Sequence, residues 1–228
     1  MRQEAVSDTS LGWDQREAAA ESLLRLARLD GVVAPPLKAI IAALGWRLSA
    51  GVAHGAHGWI VPESCTIHID TKGSREAVNL RIAHELGHLA AMLACVAHDE
   101  HDADAIGTAI AVPRRWVRHT VRQVGWDAPR LVASYPDAQP LEVVTRVAVI
   151  AGGAAVIYIA GHRSVAVIGE RGDIPVLPGE REVVRVIRSS KRPRPMVDER
   201  TGLHGWPMPG PYGTAVVLMA SPEAVASW

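Results

Sequence analysis

The sequence contains no phenylalanine, only two cysteines and no long uninterrupted apolar segment. Cys65 and Cys95 are not part of a C-x-x-C pair, which argues against a disulfide framework and against a cysteine-rich zinc site. We expect Cys95 to be a packed thiol and not a metal ligand. The longest apolar stretch, residues 147–161, is interrupted by Gly152-Gly153 and is shorter than a membrane span.

An excess of charge of either sign is also absent, since 24 Lys and Arg balance 24 Asp and Glu. Such a chain has no global field that would attract nucleic acid or an acidic membrane. The first fourteen residues are mostly polar and lack the apolar region of a signal peptide. The length of 228 residues and the hydrophobic content of 48% fit an ordinary globular protein of one or two domains. We therefore expect a soluble, cytoplasmic protein with no membrane partner.

An H-E-x-x-H motif at residues 84–88 is the most informative feature of the sequence. Two histidines four residues apart on a helix lie about 40° apart around the axis and about 6 Å apart along it. His84 and His88 can therefore bind one metal ion from the same side. Glu85 would lie beside the metal, where it can take a proton from a metal-bound water. The motif predicts a metallopeptidase.

The residues around the motif predict one long helix from about Ser74 to Ala97, with Ser74 as its N-cap. Its apolar residues recur at helical spacing and form a stripe that would face the core. The stripe consists of Ile82, Leu86, Leu89, Leu93 and Val96. The motif residues lie off the stripe, so this helix can pack on one side and present a site on the other.

A catalytic zinc usually has three protein ligands and an open position for water. The third ligand must come from outside the motif, and the stretch from residue 98 to residue 104 is rich in candidates. Glu100 and Asp102 are the best of them, followed by His98 and His101. Spacing alone does not choose among these four.

The remaining patterns predict an α+β fold, with a domain boundary near residue 151, where β-rich segments begin. We expect helices near residues 15–29, 37–44, 106–112, 128–133, 141–150, 180–188 and from 221 onward. We expect strands near residues 46–49, 57–61, 66–70, 155–159, 165–168 and 214–220. The first three strands would form a small sheet beside the motif helix.

Two segments resemble the ImmA/IrrE family of metallopeptidases. Members typically contain an A-H-E-L-G-H helix, as at residues 83–88, and then an E-A-N-x-F-A-type helix that ends in a small apolar run and a proline. Here the second segment is 102–107, and the run ends at Pro113. Counting back from Pro113 aligns Asp102 with the family's glutamate and Asp104 with its asparagine.

The resemblance implies one zinc ion per chain, or another divalent ion such as Mn²⁺, held by His84, His88 and Asp102, with Glu85 as general base. It implies a helical zincin-like peptidase core with a small mixed sheet in residues 1–125. A helix-turn-helix-like pair would follow in residues 126–150, and a small α/β, sensor-like domain in residues 151–228.

The same resemblance implies that the substrate is a helix-turn-helix transcriptional repressor, cleaved in stress or mobile-element regulation. A further donor should stabilise the oxyanion of the tetrahedral intermediate. Tyr135, Tyr158, Arg81 and nearby histidines are the candidates.

Two other functions are compatible with the sequence. One is a DNA-binding regulator built on residues 127–150, but Arg130 and Arg146 are the only strong cations there, so DNA binding should be weak or absent. The other is a non-catalytic zinc protein or partner-binding module, in which His98 or His101 would close the fourth coordination position. Glu85 favours catalysis, because a structural zinc site has no use for a base.

Overall fold

A computed structural model describes residues 10–51, 58–169, 171–172, 174–190, 194–210 and 213–228. It confirms a mixed α+β fold and divides the chain into two compact units, Met1–Pro113 and Arg114–Trp228. The first unit thus ends before the predicted boundary at residue 125. Residues 126–150 and 151–228 belong to one unit. Within the described ranges, no helix combines the length and the apolar character that crossing a bilayer requires.

The first unit begins with the two predicted helices, α1 (Trp13–Leu26) and α2 (Leu37–Ala43). A three-stranded sheet follows, made of β1 (Arg47–Ala50), β2 (Gly58–Val61) and β3 (Thr66–Ile69) in the order β1-β3-β2. β3 pairs parallel with β1 and antiparallel with β2, and Ile67 and Ile69 point into the core. His57, the first residue predicted for β2, lies outside the described residues.

The motif helix, α3, spans Arg75–Leu93 and starts as predicted, because the Ser74 hydroxyl accepts a hydrogen bond from the Ala77 N–H at 3.2 Å. Three residues of the predicted stripe, Ile82, Leu86 and Leu89, are fully buried. The helix therefore packs on the expected face and leaves the histidine face open.

The helix ends earlier than the prediction of Ala97. Cys95 adopts a left-handed backbone with φ of 54°, and the Val96 N–H donates to the Ala91 carbonyl at 3.1 Å. This bond closes a Schellman-type C-terminus. Leu93 is consequently 47% exposed, and Cys95 is an exposed free thiol. The predictions of a buried Leu93 and of a packed Cys95 are wrong because the chain turns away at this point.

The next helix, α4 (Glu100–Ala111), packs directly against α3. Their backbones meet at two glycines, Gly87 on α3 and Gly107 on α4. A Cβ on Gly87 would overlap the Ala103 carbonyl, and a Cβ on Gly107 would overlap the Ala83 carbonyl. This close crossing places the first turn of α4 beside the histidines of α3.

The second unit starts with three helices, α5 (Arg114–Val124), α6 (Ala128–Ala133) and α7 (Pro140–Ala151). α5 has no counterpart among the predicted helices, whereas α6 and α7 are the expected pair. Tyr135, which follows α6, is fully buried, and its hydroxyl lies 2.9 Å from the Thr120 hydroxyl of α5.

A six-stranded antiparallel sheet completes the second unit, in the order β6-β5-β4-β9-β8-β7. Its strands are β4 (Ala154–Ile159), β5 (His162–Ile168), β6 (Arg171–Gly172), β7 (Met196–Asp198), β8 (Leu203–Gly210) and β9 (Gly213–Ala220). Helix α8 (Glu180–Ser189) packs on the sheet through Val183, Val184 and Ile187. A short helix, α9 (Pro222–Ala226), ends the chain as described.

Candidate metal centre

Three side chains from α3 and α4 converge at the start of α4. The Nε2 atoms of His84 and His88 lie 3.0 Å apart. Oε2 of Glu100 lies 3.1 Å from Nε2 of His84 and 3.5 Å from Nε2 of His88. Of the candidates for a third ligand, the structure brings Glu100 to the two histidines.

The size of this triangle fits a zinc ion. Zinc binds imidazole nitrogen and carboxylate oxygen at about 2.0–2.2 Å, so two donors of a tetrahedral site lie roughly 3.3–3.5 Å apart. The three donor–donor distances of 3.0, 3.1 and 3.5 Å lie close to this value. Two imidazoles and one carboxylate are a donor set that suits zinc and tolerates other divalent ions.

The outer nitrogens of both imidazoles have partners of their own. Nδ1 of His84 lies 2.6 Å from Oδ1 of Asp104, and Nδ1 of His88 lies 2.9 Å from Nε2 of His98. His98 contacts the Val96 carbonyl through its Nδ1 at 3.2 Å. Partners of this kind orient the ligands of metal sites and hold their tautomers.

The contacts of His98 show which ring nitrogens of His98 and His88 carry hydrogen. The Val96 carbonyl can only accept, so Nδ1 of His98 carries the hydrogen and its Nε2 accepts from Nδ1–H of His88. Nε2 of His88 then keeps its lone pair for a metal. Burial, followed by the nearby His84, lowers the pKa of His88, which favours this neutral form. His98 therefore contacts the outer nitrogen of His88 and is not one of the three side chains of the triangle.

Asp102, the third ligand implied by the family resemblance, is directed elsewhere. Its fully buried carboxylate accepts hydrogen bonds from the backbone N–H groups of Leu11 (3.1 Å) and Asp99 (3.2 Å) and pairs with Arg16 at 2.8 Å. Burial alone would raise the pKa of Asp102, but these hydrogen bonds and the Arg16 charge lower it. Residues two apart on a helix point about 200° apart, so Glu100 and Asp102 cannot both face α3. The structure thus places Glu100, and not Asp102, beside the two histidines.

Glu85 lies beside the triangle and is only 5% exposed. Its carboxyl group packs against the backbone of β2, where a Cβ on Gly58 would lie 2.6 Å from Oε1. Burial raises the pKa of Glu85 to about 7, with His84 opposing the shift and Glu100 adding to it. A carboxyl group with this pKa is suited to accept and return a proton near neutral pH.

The triangle opens into a cavity of about 670 Å³. Its walls come from β2, α3 and the start of α4, and the apolar part consists of Trp59, Ile60, Leu80 and Met92. Arg81 also lines the cavity, and its Nη1 donates to the carbonyls of Asp70 and Lys72 at 2.6 Å each.

Three residues considered in the sequence, Tyr135, Tyr158 and His101, are not among those that line this cavity. Tyr135 and Tyr158 belong to the second unit, where their hydroxyls contact Thr120 and Glu180. His101 is an exposed residue of α4 outside the metal-binding group. Arg81 and the histidines remain as candidates for stabilising an oxyanion.

No protein-family model matches this sequence, and no curated protein matches it. Solved structures do resemble it, and one of them is a Mycobacterium tuberculosis transcriptional regulator. That chain superposes with a TM-score of 0.61 at 13% identity, over 93% of this chain and 77% of its own length. At this identity the similarity supports the α+β fold alone.

Proposed function

We propose that this chain is a zinc-dependent endopeptidase with a zincin-like core. The observation that carries the proposal is the triangle of His84, His88 and Glu100 with the buried Glu85 beside it. The three ligands would hold one zinc ion, or another divalent ion such as Mn²⁺. A site with three protein ligands leaves a position for water, which a structural zinc site does not.

When bound, the zinc ion would polarise the scissile carbonyl and lower the pKa of its water toward about 7. Glu85 would take the proton from that water and return it to the leaving amine. Asp104 and His98 would keep the two imidazoles in the metal-binding orientation. Arg81 is the cation of the cavity wall that could face the developing oxyanion.

The substrate class is a proposal from family resemblance. A cavity of about 670 Å³ with an apolar wall would accept side chains of a polypeptide next to the scissile bond. The ImmA/IrrE-like motif suggests that this polypeptide is a helix-turn-helix transcriptional repressor. The similar solved chain is a transcriptional regulator, and this likeness is compatible with a role in regulating transcription.

The two rival functions receive less support. Arg146, one of the two cations on which a DNA-binding helix pair would rely, is only 6% exposed, so its side chain is not presented to a phosphate backbone. A closed, non-catalytic zinc site would need a fourth protein ligand, but His98 contacts Nδ1 of His88 on the side away from the other two donors.

The test combines metal content with peptide cleavage. We expect about one zinc per wild-type chain, loss of zinc in His88→Ala and Glu100→Ala, and retention of zinc in Asp102→Asn. Glu85→Gln should keep zinc and lose cleavage of a fluorogenic peptide library. Loss of zinc in a folded Asp102→Asn with retention in Glu100→Ala would refute the ligand assignment. Full cleavage by Glu85→Gln, or no bound metal after reconstitution, would refute the proposed activity.

A further inference from the structure

The outer face of α8, in the second unit, carries three arginines. Arg181, Arg185 and Arg188 are spaced by four and three residues, so they share one side of the helix, and all three are exposed. They line an open cavity of about 490 Å³ together with Tyr158, Val184 and Ser189. No carboxylate is among these lining residues.

The acidic residues of α8 cancel only part of this positive charge. Glu180 is fully buried and faces inward, where it pairs with Arg163 at 2.8 Å and accepts from the Tyr158 hydroxyl at 2.6 Å. Glu182 accepts two hydrogen bonds from Arg185, of 2.6 and 3.0 Å, and so neutralises that arginine. Within the described part of the chain, no carboxylate lies within ion-pair distance of Arg181 or Arg188.

The sequence of α8 itself has an excess of positive charge. As a sequence property, residues 181–190 contain three arginines but one acidic residue, Glu182. Although the whole chain has zero net charge, a charge cluster acts on a ligand within a Debye length of about 8–10 Å. The neutrality of the chain therefore does not exclude a local polyanion-binding surface.

We propose that the Arg181–Arg185–Arg188 face of α8 binds the phosphate backbone of a nucleic acid. The three Cα atoms span about 10 Å along the helix, and guanidinium groups bind phosphate oxygens in a bidentate manner. The site is a shallow groove, so it suits an extended polyanion, which gains affinity by counterion release at each contact. The ring of Tyr158 and the side chain of Val184 provide an apolar floor between the cations. This inference does not depend on the proposed peptidase activity.

The test is fluorescence anisotropy of a labelled 20-base-pair duplex with the full chain at several salt concentrations. Phosphate contacts of Arg181 and Arg188 predict that log K falls with log[salt] with a slope of about −1.8, and a third contact from Arg185, once it leaves Glu182, would make the slope about −2.7. Arg181→Gln/Arg188→Gln should lose about two units of this slope and bind at least about tenfold more weakly at low salt. Glu182→Gln should release Arg185 and bind more tightly than wild type.

A matched control is Arg130→Gln/Arg200→Gln, which removes two exposed arginines of the same unit and should keep the wild-type slope. Equal loss in this control and in the α8 variant would overturn the assignment to α8. Wild-type binding by the α8 variant, or failure of the duplex to bind at low salt, would overturn the proposal. Saturable binding of ATP or inorganic phosphate without duplex binding would also overturn it, by indicating a small phosphate ligand.

Discussion

Substituting Gly107 by alanine tests whether the α3–α4 crossing sets the geometry of the metal centre. A Cβ at this position would overlap the Ala83 carbonyl oxygen and lie 3.1 Å from the backbone nitrogen of His84. The obstructing atoms are backbone and cannot rotate away. The two helices would have to separate by roughly 1 Å, since tightly packed interiors offer no free space.

The expected magnitude combines two opposing effects. Replacing glycine by alanine inside a helix stabilises the helix by about 1 kcal/mol. Overpacking typically costs about 1–3 kcal/mol, and contact with backbone places this case at the upper end. We expect a net loss of about 1–2 kcal/mol, which lowers the melting temperature by about 5 °C. Zinc affinity should fall about 10- to 100-fold, because α4 carries both Glu100 and Asp104.

The assay is thermal unfolding of the apo protein together with zinc competition against a chelator. Gly31→Ala is the matched control, because a Cβ there would meet no atom within 4 Å and the residue is exposed. It should leave zinc affinity unchanged and stability equal or slightly higher. If Gly107→Ala stabilises the protein, as helix propensity alone predicts, and binds zinc normally, the reasoning about the crossing is refuted.

Three further predictions concern single contacts. Gly58→Ala should displace the Glu85 carboxyl, lower kcat of peptide cleavage about tenfold or more, and leave zinc content unchanged. Asp104→Ala should weaken zinc binding about 10- to 100-fold, measured by chelator competition, because His84 loses the carboxylate that orients it. Burial, with the Glu180 carboxylate, raises the pKa of Tyr158 to about 12, so its contribution to stability is complete below pH 10 and is lost as the pH rises toward 12. Tyr158→Phe should therefore show a flatter melting temperature between pH 10 and 12 than wild type, and an unchanged slope would count against the shift.

Much of the first unit could be predicted from the sequence because its signals are local. The motif helix has a strong N-cap in Ser74, a buried stripe at helical spacing and no internal proline. The small sheet follows from the alternation of Ile67 and Ile69 with polar residues. The end of α3 could not be predicted, because a left-handed Cys95 is unusual for a residue with a side chain.

In the second unit, prolines made two elements, α5 and β8, difficult to predict from the sequence. α5 begins directly after Pro113, which in the sequence indicates only the end of the previous helix. Few residues of α5 are buried, among them Val117 and Thr120. β8 contains Pro207 and Pro209, which argue against a strand. Among the residues that the structure describes, β7 pairs with β8 from Leu203 to Gly205, and the two prolines lie beyond this paired stretch.

The position of Asp102 differs from the one that alignment by spacing predicts. Counting back from Pro113 selects Asp102, but D-x-x-D at residues 99–102 is also the pattern of a capping box. The structure contains this box, with Asp99 accepting from the Asp102 N–H at 2.7 Å and Asp102 accepting from the Asp99 N–H at 3.2 Å. The Asp102 carboxylate caps the start of α4 and pairs with Arg16, so it does not face the histidines. Of the two carboxylate candidates for the third ligand, a capping box at residues 99–102 leaves Glu100.

Under the proposed ligand assignment, this cap links the stability of the helix start to metal binding, because Glu100 is the first residue of α4. Asp99→Ala removes the side-chain acceptor for the Asp102 N–H and should cost about 1 kcal/mol. It should also weaken zinc binding, since a frayed first turn no longer holds Glu100 beside the histidines. Ser221→Ala, which removes the N-cap of α9, is the matched control and should leave zinc affinity unchanged. If both variants bind zinc like the wild type, the first turn of α4 does not position a ligand, and Glu100 loses its proposed role.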